Sequence, residues 1–243
     1  MNLEEIYNIH KGQTAFIAGS SPSLRFIEEK QINKGIIFSV NSAILKFPNS
    51  NYFVTDDWAV TTWNYWYTHV INKNIIKLLY REKLSKYVNN DNLNNTIFYD
   101  HRFWSKIENN KVIYDLKDLI MYSDPLVPII GARTSIASAI NLAFICGCSP
   151  IVLIGCDCCY ENQYKYFWQF PNQTLATKIN GTSSLFLQEG FVSGKVVDKH
   201  CVDTLRYWNH FAEANKDKIE NILYCSENGI VDVFKRCKIS EVT

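Results

Sequence analysis

The chain has 243 residues, 47% hydrophobic and 14% aromatic, and its 25 basic and 24 acidic side chains leave a net charge of +1. That length and apolar content suit one α/β domain with a substantial core and exclude a disordered chain. The near-balanced charge supplies no field that points to nucleic acid, and Met1-Asn-Leu-Glu-Glu5 lacks the basic start and apolar run of a secretory signal, which sets a cytoplasmic expectation.

Residues 1–13 read as a short amphipathic helix. Thr14–Ala18 is a strand, followed by Gly19-Ser-Ser-Pro-Ser-Leu24 and a helical stretch to about Lys30. A strand, then glycine and small hydroxyl residues, then proline at a first helical turn can cradle a phosphate. The turn exposes backbone N–H groups, and Ser20, Ser21 and Ser23 add hydroxyls. A plain strand-to-helix turn with a serine cap fits equally well. Ile36–Val40 is the next strand, with Asn41 at its carboxyl end as a base or ribose contact or a helix cap. Asn51–Thr55 is a third strand, delivering Asp56 and Asp57 to the same edge. There they either hold Mg²⁺ beside a phosphate or cap the aromatic helix expected over Trp58–Tyr67.

Residues 71–127 lack clear punctuation; Thr96–Tyr99 is the best strand, and Asp100-His101 follows it as a core-rim pair or a base. Beyond it, Ala132, Ile136, Ala139, Ile140 and Ala143 fall at spacings of three and four and make one small apolar helix face. Arg133, Thr134 and Ser135 stand at that helix's N-terminus, where free N–H groups and the dipole favour an anion. Ile151–Ile154 is an unbroken apolar run, the mark of a central parallel strand, which carries Asp157 into the crevice where open α/β sheets bind ligands. Asn141, Gly147, Ser149 and Pro150 break the run from Ile136 to Cys156 into helix and strand and argue against a membrane span.

Of eight cysteines, Cys146, Cys148, Cys156, Cys158 and Cys159 read as small buried hydrophobes in the reduced state; zinc at the clusters Cys146-x-Cys148 and Cys156-x-Cys158-Cys159 is the alternative. Asn94, Asn172 and Asn180 match glycosylation sequons, which carry no meaning without secretion. After Asp157 the chain becomes polar and aromatic through Tyr160, Tyr164, Tyr166, Phe167 and Trp168. The stretch from about 161 to 199 is expected to be a mobile lid. His200 stands at the start of a helix in which Leu205, Trp208 and Ala212 share a face, and it is a candidate general base. A strand at Ile222–Tyr224 and a short helix ending near Phe234 complete a single doubly wound α/β domain with a mostly parallel sheet.

Ala18-Gly-Ser-Ser-Pro-Ser-Leu24, the strand ending in Asn41, Thr134-Ser135 opening a helix, Ile151-Val-Leu-Ile-Gly-Cys-Asp157, the tyrosine cluster and His200 together resemble the bacterial sialyltransferases of glycosyltransferase family 42. They also resemble a related set that includes the archaeal MptE-like 6-hydroxymethylpterin diphosphokinases. Both likenesses imply a Rossmann-like nucleotide-binding core. The first implies a CMP-activated nonulosonic sugar as donor, a glycan or lipid-linked acceptor with peripheral membrane contact, self-association, and no required cofactor. In it Gly19, Ser20, Ser21, Ser23, Asn41, Thr134, Ser135 and Asp157 surround the nucleotide, Arg133 faces donor or acceptor, Tyr164 and Tyr166 meet the departing phosphate, and His200 deprotonates the acceptor. The transferases carry Asn-Gly where this chain has Ser20-Ser21. The second likeness, strongest at Tyr52-Phe-Val-Thr-Asp-Asp57, implies pyrophosphoryl transfer from ATP with Mg²⁺ held by Asp56 and Asp57, with Asp157 as a further candidate ligand. A non-catalytic nucleotide-binding module is a third reading.

Overall fold

The computed structural model describes residues 1–71, 73–88, 94–102, 105–108, 111–179, 190–192 and 194–242. In chain order the strands are β1 (Ala15–Ala18), β2 (Ile36–Val40), β3 (Tyr52–Thr55), β4 (Ile76–Tyr80), β5 (Thr96–Tyr99), β6 (Ser105–Glu108), β7 (Lys111–Tyr114), β8 (Ile151–Ile154), β9 (Gly190–Val192), β10 (Lys195–Val197), β11 (Ile222–Tyr224) and β12 (Lys235–Arg236). The helices are the single turns α1 (Glu29–Ile32) and α2 (Arg81–Leu84) and the longer α3 (Ser135–Ile145) and α4 (Lys199–Ala214). Eight strands form one sheet in the order β12-β11-β8-β1-β2-β3-β4-β5, parallel throughout. β6 pairs with β7, and β9 with β10, as separate antiparallel ribbons.

The chain runs outward from β1 to β5, returns through α3 to place β8 on the other side of β1, and then runs outward again through β11 to β12. Strands covered on both faces need apolar residues at successive positions. Accordingly Ala15 and Ile17 pack on one face beside α3 and α4 residues Ile140, Tyr207 and Phe211, while Phe16 and Ala18 pack on the other beside Leu24, Ile44 and Trp66. Two polar residues interrupt these runs, and both are satisfied. Ser39 bonds the Ser50 hydroxyl at 2.5 Å, and the fully buried Lys77 donates to the carbonyls of Lys73, Ile75 and Asn94 at 3.0, 3.1 and 2.9 Å.

α3 begins where its sequence predicts, capped by Thr134, and ends before Gly147 at φ +80°. No helix of the described residues is long and apolar enough to cross a membrane. Other expectations are corrected. The N-terminal segment forms only a helical turn at Leu3–Ile6, because Asn8 and Gly12 take positive φ and break it. The aromatic helix over Trp58–Tyr67 is two pieces, a 3-10 helix at Trp58–Thr62 and a wide π turn at Trp66–Ile71. No helix ends near Phe234; that stretch turns at Gly229, lays the Ile230 N–H on the Asp157 carbonyl at 2.9 Å, and leads into β12. Cys225 and Cys237 form a disulfide, while the five cysteines read as reduced are free thiols. The lid expected at about 161–199 includes residues 180–189 and 193, outside the described ones. Its part at 175–179 is stitched to 62–64, through Asn64 N–H to Thr177 O at 2.8 Å and Ile179 N–H to Thr62 O at 2.9 Å.

Candidate active site

The connections from β1 and β8 leave in opposite directions, so a crevice opens at their carboxyl ends, the place where open α/β sheets take ligands. Two glycines set its floor. A Cβ on Gly19 would lie 2.4 Å from the Gly155 carbonyl oxygen, and one on Gly155, at φ +60°, would lie 2.7 Å from the Gly19 oxygen. Only residues without a side chain let the two backbones cross so closely.

Above this floor lies a cleft of about 810 Å³, within the range of small-molecule sites. Gly19, Ser20, Ser21, Asn41, Thr134, Tyr166 and His200, all singled out from the sequence, line it. Asn41 takes φ 52°, and its buried Oδ1 has no hydrogen-bond partner among the described residues. An acceptor so placed suits a ligand N–H or O–H. His200 sits on the first turn of α4, exposed overall yet crowded by protein on its cleft side; that partial desolvation, then Lys165 and Arg133, hold its pKa below 6.5. The imidazole is therefore neutral at pH 7 and able to accept a proton.

Five expected ligand contacts stand elsewhere. Ser23 and Asp157 bond each other in the core, Ser23 N–H to Asp157 Oδ2 at 2.8 Å and hydroxyl to Oδ1. Ser135 receives the Asp56 N–H at 3.1 Å, and Arg133 pairs with Asp203 at 3.0 Å. Tyr164 lies off the cleft with its ring against Phe170. The serine turn is also not the open N–H cradle its sequence suggests: the N–H groups of Gly19 and Ser21 donate to Ile154 O and Gly155 O at 2.8 and 2.9 Å.

The pairing of Asp56 with Asp57 as metal ligands does not fit the geometry. Asp56 faces the sheet, receiving Tyr99 Oη at 2.5 Å and Ser138 Oγ at 2.7 Å, with His101 Nε2 at 3.2 Å. Asp57 is the helix cap, its Oδ1 accepting the Ala59 N–H at 2.9 Å. Among the described residues, no three His, Cys, Asp or Glu side chains gather in a way that could hold a metal.

Sequence reasoning missed several cleft residues. Lys165 forms a buried ion pair with Asp198, the N-cap of α4, which also accepts the Cys201 N–H at 2.8 Å and Tyr160 Oη at 3.1 Å. Burial alone would raise the Asp198 pKa, but Lys165 and the Cys201 N–H bring it down to about 2. The capping pattern, Asp before a helix, was readable; its cation was not, because Lys165 lies in an aperiodic loop. Aromatic side chains also line the cleft: Trp168 stacks on Tyr166 at 5.2 Å, donates Nε1–H to Ser42 at 3.0 Å, and lies 5.7 Å from Trp63.

Among solved structures, the MAf glycosyltransferase from Magnetospirillum magneticum AMB-1 is similar over 100% of this chain and 38% of its own, with a TM-score of 0.58 and 11% identity. This likeness is one of fold, and the chain spans well under half of that protein's length. No curated protein matches the sequence. A family model described as 6-hydroxymethylpterin diphosphokinase MptE-like matches residues 1–163, from the N-terminus through β8 and the Asp157 turn, stopping short of Lys165 and His200. The match covers about two thirds of the chain, and the protein belongs to this MptE-like family, whose name is that of a transferase.

Proposed function

We propose that the protein transfers a group from a nucleotide-linked donor, and more finely that it is a sialyltransferase-like glycosyltransferase moving a CMP-activated nonulosonic acid to a glycan or lipid-linked acceptor. The observation that carries this reading is the meeting of His200 with Ser20, Ser21 and Asn41 in one cleft at the sheet's switch point. His200 takes the proton of the acceptor hydroxyl, the acceptor oxygen bonds the anomeric carbon, and the bond from that carbon to the phosphate oxygen breaks, its electron pair leaving with the nucleotide. A positioned base and donors aimed at the leaving oxygen are what this transfer needs.

The family match favours a second reading, pyrophosphoryl transfer to an alcohol. That chemistry must neutralise several phosphate charges. The described cleft supplies Lys165, Lys178 and Lys199 against Asp57 and Asp198, and no arginine. This near-balance suits a donor with one phosphate better than a triphosphate. Trp58, 46% exposed and next to cleft-lining Ala59, gives a lipid-linked acceptor an apolar rim.

Thermal unfolding with CMP, CDP, UDP, AMP and ATP, each with Mg²⁺ and with chelator, tests the choice. A ligand at a hundred times its Kd stabilises the folded state by about 2.7 kcal/mol. Stabilisation by CMP without metal is expected; stabilisation by ATP alone and only with Mg²⁺ would turn the assignment to the diphosphokinase.

A further inference from the structure

Five buried side-chain polar atoms have no hydrogen-bond partner among the described residues, and two of them, Asn41 Oδ1 and Thr204 Oγ1, line the cleft. A buried polar group left unpaired costs folding free energy and points to a partner that arrives with a ligand. Other polar groups of the cleft differ in this respect. Ser20, Ser21, Thr134 and Lys178 are half-buried and Lys199 is exposed, so water reaches them, and the Ser20 hydroxyl also donates to Val40 O at 3.2 Å. Asn41 is among the expected nucleotide contacts; Thr204 is not.

Thr204 follows His200 by four residues on α4, on the same helix face and about 6 Å farther along the axis. His200 is exposed and Thr204 only 6% exposed, so this face of α4 runs from solvent into the depth of the cleft. A helical threonine ordinarily directs its hydroxyl to the carbonyl three or four residues back. Here Oγ1 makes no such bond, and the carbonyl three residues back, Cys201 O, instead accepts the Cys158 thiol at 3.5 Å. Cys201 and Trp208, which also line the cleft from α4, are apolar, as is Ile136 from α3. A lone hydroxyl among apolar side chains suits an uncharged hydroxyl or amide of a ligand.

We propose that Thr204 is a binding residue for the transferred sugar, its hydroxyl pairing with an uncharged hydroxyl or amide on the ring or its substituents and so helping to set which sugar the cleft accepts. The proposal rests on the nucleotide-sugar reading above. Geometry favours the sugar over the rest of the donor. In the transfer the acceptor oxygen lies about 3 Å from the His200 imidazole, and the anomeric carbon about 3 Å from that oxygen. The transferred ring therefore falls within about one helical turn of His200, which is where Thr204 stands. An acceptor entering from the exposed side of His200 leaves the deeper place to the sugar already bound.

The test compares nucleotide with sugar nucleotide. Calorimetric titration of the full chain with CMP and with a fluorinated CMP-N-acetylneuraminate that resists hydrolysis gives the factor by which the sugar improves affinity. Thr204→Val keeps the branched shape and removes the hydroxyl. It is expected to lower that factor about three- to tenfold, the loss of one neutral hydrogen bond, with CMP affinity held within about twofold. Thr204→Ser, which keeps the hydroxyl, should retain most of the factor. Without ligand, Thr204→Val should melt at or above the wild-type temperature, because no bond within the protein is lost. A lower melting temperature with both ligands weakened alike would make Thr204 structural, and an unchanged factor would leave it no part in recognition; either overturns the proposal and leaves the nucleotide reading standing. Wild-type protein that binds CMP but gains nothing from the sugar overturns the proposal together with the nonulosonic donor. Absence of binding by both ligands overturns the CMP-donor reading as well.

Discussion

The carboxylate of Asp157 takes both the backbone N–H and the hydroxyl of Ser23, a residue 134 positions earlier, and so ties the end of β8 to the loop after β1. Burial pushes the Asp157 pKa up, against the pull of the Ser23 bonds. A raised folded pKa means that the folded state holds this proton more tightly. The resulting stability is full below the ordinary value of 3.8 and is lost as pH rises through the folded value. Urea unfolding across a pH series should therefore show the wild type losing stability relative to Asp157→Asn as pH rises above 3.8. At neutral pH Asp157→Ala should cost about 1–3 kcal/mol, the penalty of leaving buried partners unmade.

Activity should be lost toward acid as His200 takes up a proton. Because partial desolvation and the neighbouring cations lower its pKa, the acid limb of the kcat/KM profile is expected to have its midpoint below 6.5. His200→Ala should reduce kcat by about 10²- to 10⁴-fold and leave nucleotide affinity unchanged. A full rate in that variant would remove His200 from the chemistry.

Asp56 should behave as a structural residue. It is buried with Tyr99, Ser138 and His101 as partners, and Asp56→Ala is expected to lower stability by about 3 kcal/mol or more. Burial would raise its pKa, but the bonds from His101, Tyr99 and Ser138 hold it below 3.8. Its stabilising effect is thus present above 3.8 and is lost as pH falls through the lower folded value. If Asp56→Asn instead kept wild-type stability and removed only a Mg²⁺-dependent activity, the metal reading would return.

Trp63 lies 5.7 Å from Trp168, carries Lys178 over its ring at 5.7 Å, and lines the cleft. An aromatic face of this kind suits the ring of an acceptor sugar. Trp63→Ala should raise acceptor KM several-fold with donor KM unchanged; a rise confined to donor KM would assign the wall to the nucleotide instead.

Strands β1, β8 and β11 were legible as short unbroken apolar runs, and β2, β3 and β5 as mostly apolar, β-branched and aromatic stretches between turn signals. β4 was not, since Lys77 interrupts it, and nothing local reveals that three backbone carbonyls will take up the amine. The site was legible in part. Gly19, Ser20, Ser21, Asn41 and His200 lie at element ends, where topology alone brings them together. Whether a polar side chain then faces ligand or protein depends on partners distant in sequence: Asp157 turns to Ser23 and Asp56 to Ser138. Lys165 escaped notice because its position depends on Phe167 meeting Ser20, a contact with no signature in spacing.

The crossing of Gly19 and Gly155 has a further consequence. Where two main chains touch with no side chain between them, the depth of the crevice is set by peptide geometry, and substitutions on the walls cannot move it. Exchange of wall residues can thus alter what the cleft accepts while its floor stays at the same height above the sheet.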